Sequence, residues 1–478
     1  MVRKRFRVYI NFLDQSNSIR NLTPYDMLTL KRTYMRKVIL EELFEHTSVR
    51  RAYFTLALPV VLNMVVALVY NLVDTFFVAQ TQNANLVAGV SLGAPLFTLM
   101  VALGDILGLG GSSVISRLFG EKRFDQARRV SGYCFYAGFL LGLIVLVLLF
   151  FLQTPVLKLL GATPATWEYA RQYYLVIAAG APFIVFFYAP VNILRTEGLA
   201  VESMKASVIG TVINIVLNPF FIFTCGLSAA GSALATVTGN IFADLLMIYY
   251  LQTKSQRLTT SPRETKISRR MQGEILAIGI PASVTNLMST FAMALTNRYL
   301  IAYGPSSVAA MGISLKISMI ITMVFVGFAF GVQPLIGYTY GAKDTKRFNE
   351  TMRLDLTVVC GFAFIMTGII WLLAPTLIRG FMHDPTVIKH GITMIRWLVS
   401  SATLAGLILV FTTMFQSMGK ALPAFILSFC RQGVIFYLVL IVFAHSFGYT
   451  GILASQAGAD FITALLAVGL FNHYRPRK

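Results

Sequence analysis

Charged residues are scarce in this sequence. Of its 478 residues only 13% are Asp, Glu, Lys or Arg, about half the share of a soluble domain, whereas 56% are hydrophobic. With a mean hydropathy of +0.71, this composition excludes an ordinary soluble protein and predicts an integral membrane protein. The net charge is nevertheless +20, because 40 Lys and Arg outnumber 20 Asp and Glu. Since these basic residues fall in short loops between apolar runs, we attribute them to membrane topology and expect no nucleic-acid partner.

Cysteine and histidine are also few, with four Cys and five His. The Cys residues lie in or beside apolar runs without a C-x-x-C spacing, so we expect buried packing roles for Cys134, Cys225, Cys360 and Cys430. The His residues do not cluster with other metal-ligating residues, and the sequence has neither a nucleophile motif nor a soluble catalytic domain. We therefore predict that the protein is not an enzyme and has no bound cofactor. A cleavable signal peptide is not expected, because the first apolar run is too long for one.

Long apolar runs, by contrast, are abundant. About 20 apolar residues cross a bilayer as a helix, because the hydrocarbon core is about 30 Å thick and a helix rises about 1.5 Å per residue. Twelve runs reach this length, so the predicted fold class is an all-α integral membrane protein with twelve transmembrane helices. The predicted spans are residues 53–79, 86–114, 130–152, 166–190, 204–224, 229–251, 274–302, 307–336, 355–378, 391–416, 421–445 and 449–471.

The loops between these spans alternate in charge. Basic residues follow spans 2, 6 and 8, whereas the loops after spans 1, 5 and 7 carry no charged residue. With an even number of spans, the positive-inside rule then places both termini in the cytoplasm. Residues 379–389, after span 9, are basic on the predicted outer side and form a local exception. We predict a multi-pass protein of the cell inner or plasma membrane.

A polar connector divides the chain at its midpoint. Residues 252–272 are rich in Ser and Thr, and we expect them to form an unpacked cytoplasmic linker. They separate an N-lobe of six helices (residues 51–251) from a C-lobe of six helices (residues 273–471). A cytoplasmic tail (residues 472–478) follows the C-lobe, and a basic cytoplasmic extension (residues 1–50) precedes the N-lobe.

The basic extension leaves two alternatives open. Residues 35–44 have the pattern of a short amphipathic helix, which could lie on the anionic cytoplasmic leaflet. Alternatively, translation begins at Met27 or Met35 and the first part of the chain is never made.

The two halves contain an internal repeat. Small residues, then Gly, then a basic turn end both span 2 (residues 110–124) and span 8 (residues 331–348). Further matches pair Pro59 with Pro281 and Gly231 with Gly451. Because six spans is an even number, both copies enter the membrane from the same side, and the lobes are related by a pseudo-two-fold axis along the membrane normal. A substrate path would run between them. The alternative is that Gly and Pro recur by chance, since both are frequent in membrane helices.

A few acidic residues interrupt the spans. A carboxylate at a helix centre costs about 2.5 to 3.5 kcal/mol on insertion scales, so each should face a cavity or a partner. Asp74 in span 1 is the main candidate for ion coupling or substrate binding, and Asn63 and Asn71 fall on the same helical stripe. Secondary candidates, for which an interhelical hydrogen bond is the alternative role, are Asp105, Asn192, Asp244 and Asp460. For Arg195 and Glu197, at a cytoplasmic helix end, we expect a structural salt bridge or cap.

Five short motifs occur in a specific order between residues 51 and 470. They are Asn71-Leu-Val-Asp-Thr75, Gly110-Gly-Ser-Ser-Val-Ile-Ser-Arg117 with Gly120, Leu194-Arg-Thr-Glu-Gly198, Asn214-Ile-Val-Leu-Asn-Pro219, and Gln333-Pro-Leu-Ile-Gly337 with Gly341. Together they resemble the multidrug and toxic compound extrusion (MATE) family, in its prokaryotic DinF-like branch. This resemblance implies a two-lobed antiporter that expels cationic or amphiphilic compounds in exchange for inward H⁺ or Na⁺.

The resemblance also implies a coupling-ion site in the N-lobe. Its members map onto Asp74, Asn214, Asn218 and Thr236, which would be metal ligands only if the coupling ion is Na⁺. The chain departs from the family pattern at Asn218, where a second Asp is usual. An amide oxygen can still bind Na⁺ but cannot take up a proton, so Asp74 is the only titratable member. The coupling ion therefore stays open between H⁺ and Na⁺.

A flippase for lipid-linked saccharide or peptidoglycan precursors is the alternative function. It belongs to the same wider superfamily and would need a strongly basic cavity. The spans offer only Arg298, Lys316 and Arg431 as candidate interior cations, so we favour the antiporter. The expected partners are small cationic or amphiphilic compounds and membrane lipids, and we expect a monomer.

Overall fold

The computed structural model describes residues 42–381 and 384–476, and within them every regular element is a helix. The basic extension up to residue 41, with most of the amphipathic segment 35–44 and both alternative start sites, lies outside the described residues. The last two residues of the predicted tail also lie outside them.

Eleven helices in the described part of the chain are long and apolar enough to cross a membrane. They are α1 Val49–Ala79, α2 Ala84–Gly120, α3 Phe124–Phe151, α4 Trp167–Thr196, α5 Ala200–Thr224, α6 Ser228–Thr253, α7 Arg269–Tyr303, α8 Ser306–Gly341, α9 Thr345–Gly380, α10 Pro385–Ser417 and a final stretch Ala421–Tyr474. Short helical segments also form at Glu42–His46, Gln153–Leu159 and Pro262–Glu264.

The final stretch contains two spans. As one straight helix its 54 residues would be roughly 80 Å long, more than twice the hydrocarbon thickness. The helix is broken at Gly448, whose φ of 56° and ψ of −129° are not helical. A Cβ atom built on Gly451 would lie 1.9 Å from the Phe443 carbonyl oxygen, and one on Gly458 would lie 2.9 Å from Val439. The chain therefore turns back on itself, and we call the part before Gly448 α11 and the part after it α12. The prediction of twelve membrane helices is confirmed.

Close helix contacts relate the N-lobe (α1–α6) to the C-lobe (α7–α12). α8 packs against α1, and a Cβ on Gly331 would lie 2.5 Å from Ala57 Cα. α7 packs against α2 in the same way, and a Cβ on Gly279 would lie 1.9 Å from the Ile106 carbonyl oxygen. A two-fold axis that superposes α1 on α7 and α2 on α8 exchanges these two contacts. The predicted pseudo-two-fold relation between two six-helix lobes is confirmed.

The lobes are also in close contact at the end that carries the basic loops, which we call the closed end. There a Cβ on Gly120 would lie 2.1 Å from the Tyr338 carbonyl oxygen, and one on Gly341 would lie 2.2 Å from the Arg117 carbonyl oxygen. Among the described residues, the hydrogen bond between the lobes that lies farthest from this end is the one that Ser283 donates to the Ala102 carbonyl oxygen. On both sides of that level the lobes enclose a cavity, which is lined along α2 from Phe97 to Leu109.

The expectation of an unpacked linker is wrong. Leu258 and Thr259 are buried, and the Thr259 amide donates to Ser131 Oγ on α3 at 3.1 Å. The carboxylate of Glu197, at the end of α4, accepts hydrogen bonds from Ser255 and from two linker amides. Burial raises the pKa of Glu197, and these hydrogen bonds offset only part of the shift. The linker packs because its polar backbone satisfies the buried carboxylate of Glu197, which accepts linker amides and does not cap α4.

The four cysteines differ in burial. Cys134 is buried, whereas Cys360 and Cys430 are half-buried and Cys225 is exposed. A buried packing role is therefore wrong for Cys225, which follows the last helical turn of α5 and lies in a short loop.

Candidate functional site

A polar cluster joins three helices of the N-lobe around Asp74. Asp74 Oδ1 on α1 accepts a hydrogen bond from Asn218 Nδ2 of α5 at 2.5 Å and one from Ser232 Oγ of α6 at 3.3 Å. One helical turn away, Asn214 Nδ2 lies 3.1 Å from Thr236 Oγ1 and 3.3 Å from the Tyr70 hydroxyl oxygen. Asp74, Asn214, Asn218 and Thr236, the set predicted as the ion site, thus lie in one network.

Helical spacing explains how the cluster forms. Residues four apart lie on the same face of an α-helix, and each of the three helices contributes such a pair. The pairs are Tyr70 and Asp74 on α1, Asn214 and Asn218 on α5, and Ser232 and Thr236 on α6. α5 then passes through Pro219 into a π-helical turn, Phe220–Thr224, a distortion that is frequent at functional sites.

The cluster contains more hydrogen-bond acceptors than donors. Asn214 Oδ1 and Asn218 Oδ1 are buried and accept no hydrogen bond from any residue that the structure describes. An unsatisfied buried polar atom costs about 1 to 3 kcal/mol, so a native protein rarely keeps two together without a use for them. These two amide oxygens and the Asp74 carboxylate are therefore candidate oxygen ligands for a small cation.

Asn71 does not share the surroundings of Asp74. Its amide donates to the Ala67 carbonyl oxygen at 2.8 Å, and the residue lines the central cavity together with Asn63. Residues three apart on a helix point about 60° away from each other, which is enough to direct Asp74 toward α5 and α6 and Asn71 toward the central cavity. Of the predicted polar stripe, Asn63 and Asn71 therefore lie on the cavity face and Asp74 lies beside it.

The central cavity between the lobes has a volume of about 660 Å³, a size typical of sites for drug-sized ligands. Most of its wall is apolar, and among the described residues the charged ones that line it are Asp105, Arg195 and Arg431. Tyr70, Asn214 and Thr236 also line it. These three residues therefore belong both to the Asp74 cluster and to the cavity wall.

Two of the secondary candidates lie on the N-lobe wall of this cavity. Asn192 Nδ2 donates to the Tyr188 carbonyl oxygen at 2.8 Å and lies 3.5 Å from Asp105 Oδ1. Asn192 Oδ1 accepts from Arg195 Nη1 at 3.3 Å. Arg195 is thus a cavity residue, and the expectation of a salt bridge or cap at the helix end missed this placement. Its position three residues after Asn192, on the same face of α4, was the available signal.

The other two secondary candidates are placed differently. Asp244 is buried on α6, and neither of its carboxylate oxygens has a hydrogen-bond partner among the described residues. Asp460 on α12 accepts from Arg431 Nε at 2.8 Å and from Gln456 Nε2 at 3.0 Å. Asp460 therefore orients Arg431, which lines the cavity. Asp244 belongs to neither the Asp74 cluster nor the cavity wall.

The candidate interior cations need correction. Arg298 and Lys316 are exposed and are not among the residues that line the cavity. Arg431 does line it, and Arg195 joins it from the N-lobe. Each arginine has a carboxylate nearby. Arg431 forms an ion pair with Asp460, and Arg195 is attracted by the charge of Asp105.

The sequence did not predict the cross-lobe contacts at the closed end. The Tyr53 hydroxyl of α1 donates to Asp355 Oδ1 of α9 at 2.9 Å, and both residues are fully buried. Glu45, before α1, pairs with Lys122 and accepts from the Tyr338 hydroxyl of α8 at 2.5 Å. Burial alone would raise the pKa of Glu45, but the hydrogen bonds from Lys122 and Tyr338 and the Lys122 charge hold it below the usual 4.5.

Two six-helix lobes around a central cavity, with a polar cluster inside one lobe and an inter-lobe seal at one end, define a secondary transporter. The comparisons with known proteins identify which kind. The MatE family model matches the chain twice, over residues 59–220 and 281–442, and the chain belongs to this family. The two matches begin at Pro59 and Pro281, the pair expected from the sequence, so the internal repeat is confirmed.

The similar proteins are exporters and MATE transporters. The multidrug export protein MepA of Staphylococcus saprophyticus is 29% identical over 434 residues, which cover 91% of this chain and 96% of the relative. MepA of Staphylococcus aureus is 27% identical over the same length and the same shares. Among solved structures, MATE in complex with MaL6 has a TM-score of 0.86 at 26% identity and covers 91% of this chain and 97% of that one. An outward-facing multidrug resistance MATE transporter has a TM-score of 0.85 at 25% identity with the same shares.

Proposed function

We propose that this protein is a multidrug efflux antiporter that exports cationic or amphiphilic compounds in exchange for H⁺ or Na⁺. It acts by alternating access, as a monomer in the plasma membrane, with both termini in the cytoplasm and its apolar outer surface against lipid. Membership of the MatE family and the similarity to multidrug export proteins support export, and the large mainly apolar cavity supports amphiphilic substrates.

The Asp74 cluster is the observation that carries the coupling proposal. Asp74 can bind either ion, but a protonated Asp74 has only one O–H to donate, so at least one of Asn214 Oδ1 and Asn218 Oδ1 would stay without a partner. Na⁺ would be held by the carboxylate, both amide oxygens and the Thr236 hydroxyl, because small hard cations prefer oxygen ligands. The geometry therefore favours Na⁺ over H⁺ at this site.

Exchange removes the electrical cost of export. Moving one positive charge out of a cell against 100 mV costs about 2.3 kcal/mol, and one incoming monovalent cation cancels it. The link between ion and substrate runs through Tyr70, Asn214 and Thr236, which touch the Asp74 network on one side and the cavity on the other. Ion binding at Asp74 would rearrange their hydrogen bonds and with them the N-lobe wall.

The position of the closed end determines the side of the membrane from which the cavity can be reached. If the basic loops are cytoplasmic, as the positive-inside rule predicts, the lobes are sealed toward the cytoplasm at Gly120 and Gly341 and separate toward the outside. This arrangement corresponds to the outward-facing state, in which substrate leaves and the coupling ion enters. The inward-facing state requires the contacts at the closed end to break.

The charges of the cavity argue against the flippase. A lipid-linked diphosphate would need several unpaired cations, whereas Arg431 is paired with Asp460, and Arg195 lies within the field of Asp105. The wall therefore has little net charge and lacks the strongly basic character that such a substrate requires.

The experiment measures uptake of a panel of fluorescent cations into inverted membrane vesicles, where export from the cell becomes inward movement, with the Na⁺ and pH gradients imposed separately. We expect dye movement with the Na⁺ gradient alone. Movement with the pH gradient alone would assign H⁺ as the coupling ion, and no movement with either gradient for any dye would contradict the antiporter.

A further inference from the structure

The C-lobe wall of the cavity contains a pair of adjacent hydrogen-bond donors. Arg431 and Gln432 are consecutive residues of a π-helical turn, Cys430–Val434, inside α11, and both line the cavity. The Asp74 cluster of the N-lobe is also followed by a π-helical turn, Phe220–Thr224 of α5. Such turns are frequent at functional sites, and this one has no role in the ion coupling described above.

Arg431 is held in one orientation from behind. Its Nε donates to Asp460 Oδ1 at 2.8 Å, and Gln456 donates to the same oxygen at 3.0 Å. The Asp460 side chain is 1% exposed, whereas that of Arg431 is 22% exposed. Because the guanidinium group is a planar fork, fixing Nε against the protein directs the two terminal Nη groups elsewhere.

Gln432 is oriented in a similar way. Its Oε1 accepts a hydrogen bond from Ser289 Oγ of α7, so its Nε2 is the end left to donate. Among the side chains and backbone carbonyl groups that the structure describes, none accepts a hydrogen bond from Arg431 Nη1, Arg431 Nη2 or Gln432 Nε2. We call Arg431 and Gln432, with these three free donor groups, the C-lobe donor site.

We propose that the C-lobe donor site binds a carboxylate carried by the transported compound. Arginine binds carboxylates through two parallel hydrogen bonds, and these charge-assisted bonds are stronger than neutral ones. Asp105, on the N-lobe wall of the same cavity, supplies the opposite charge. The cavity therefore accommodates zwitterionic amphiphiles, with the cationic group toward the N-lobe and the carboxylate toward α11. This proposal rests on the proposed export function and extends its substrate class.

The test uses two dyes that differ only at one carboxyl group. Rhodamine B has a cationic ring system and a free carboxylate, and rhodamine B ethyl ester has the same ring system without the negative charge. Binding of each dye to the purified protein is measured by fluorescence anisotropy. The unchanged protein is expected to bind both.

Two variants weaken the C-lobe donor site without leaving a buried charge unpaired: the first removes the charge and the guanidinium group, and the second removes the neutral donor. Arg431→Gln is combined with Asp460→Asn, because Arg431→Gln alone would leave the buried Asp460 carboxylate without its partner. Gln432→Met removes only the neutral donor. It provides an independent test if the double variant does not fold. The matched control is Arg298→Gln, which removes a positive charge from α7 outside the cavity.

The double variant is expected to weaken binding of the acid about tenfold or more, which corresponds to the loss of one charge-assisted hydrogen bond. It is expected to change binding of the ester less than about twofold. Gln432→Met is expected to weaken the acid about threefold. Equal effects on acid and ester, no effect on either, or no binding of the acid by the unchanged protein would overturn the proposal. Ion-driven transport of the ester is measured in parallel, because its absence would reject the export function itself rather than the donor site.

Discussion

Replacing Gly341 by Ala is expected to open the closed end. A Cβ at this position would lie 2.2 Å from the Arg117 carbonyl oxygen and 2.9 Å from Arg117 C and Cα. These atoms belong to the backbone of α2 and cannot rotate away as a flexible side chain would. The ends of α8 and α2 would have to separate by about 1 Å to restore ordinary van der Waals contact.

The size of the effect follows from the cost of overpacking. One methyl group forced into a tight contact costs about 1 to 3 kcal/mol, and this cost falls only on the state in which α2 and α8 touch. The equilibrium should therefore shift about 5- to 150-fold toward states in which the lobes are apart at this end.

A thiol-labelling assay measures this shift. Ser417 is fully buried beside Arg117 at the closed end, so Ser417→Cys in a background without the four native cysteines reports opening. A membrane-impermeant maleimide is applied from the side of the basic loops. Gly341→Ala is expected to raise the labelling rate, whereas the control Gly273→Ala, with no atom within 4 Å of its added Cβ, is not. Equal rates in the two variants would refute the reasoning.

Three further predictions concern the closed end and the ion site. Tyr53→Phe leaves the buried Asp355 carboxyl without its donor, at a cost of about 1.5 to 3 kcal/mol, and is expected to accelerate labelling at the closed end; an unchanged rate would contradict this. Because the pKa of Glu45 is lowered, Glu45 stays ionised and paired with Lys122 at every pH above this lowered pKa. The pair is lost only as the pH falls through the lowered pKa. Glu45→Gln should therefore speed labelling throughout about pH 6 to 8, and a gain confined to one end of that range would argue otherwise. Asn218→Asp is expected to strengthen the Na⁺ dependence of dye export, and an unaltered Na⁺ response would remove this residue from the ion site.

The fold was predictable because its signals are local in sequence. Apolar run length gives each helix, and the repeated Pro59 and Pro281 give the two lobes. The break at Gly448 fell between two predicted spans, and the structure adds that the chain turns back on itself there without an intervening loop. The packed linker was not predictable, because its polar composition does not reveal that a buried Glu197 lies within its reach.

The candidate site was predictable in part. The helical spacing that links Asp74 to Tyr70 would have indicated a further member of the cluster, since residues four apart share a face. The roles of Arg195 and Asp355 depend on which helices pack together, and the sequence near each residue resembles an ordinary helix end. Asn71 was grouped with Asp74 because a spacing of three residues is close to a helical turn, but neighbouring helices divide those two positions between different surroundings.

The central claim is that Asp74 couples ion entry to export. It is tested most directly by reconstituting the purified protein in liposomes and measuring export of a fluorescent cation under an imposed Na⁺ gradient. The comparison is between the unchanged protein, Asp74→Asn and the control Asp125→Asn, which changes an exposed carboxylate at the start of α3. We expect gradient-driven export to be lost in Asp74→Asn and retained in the control. Full gradient-driven export by Asp74→Asn would contradict the account.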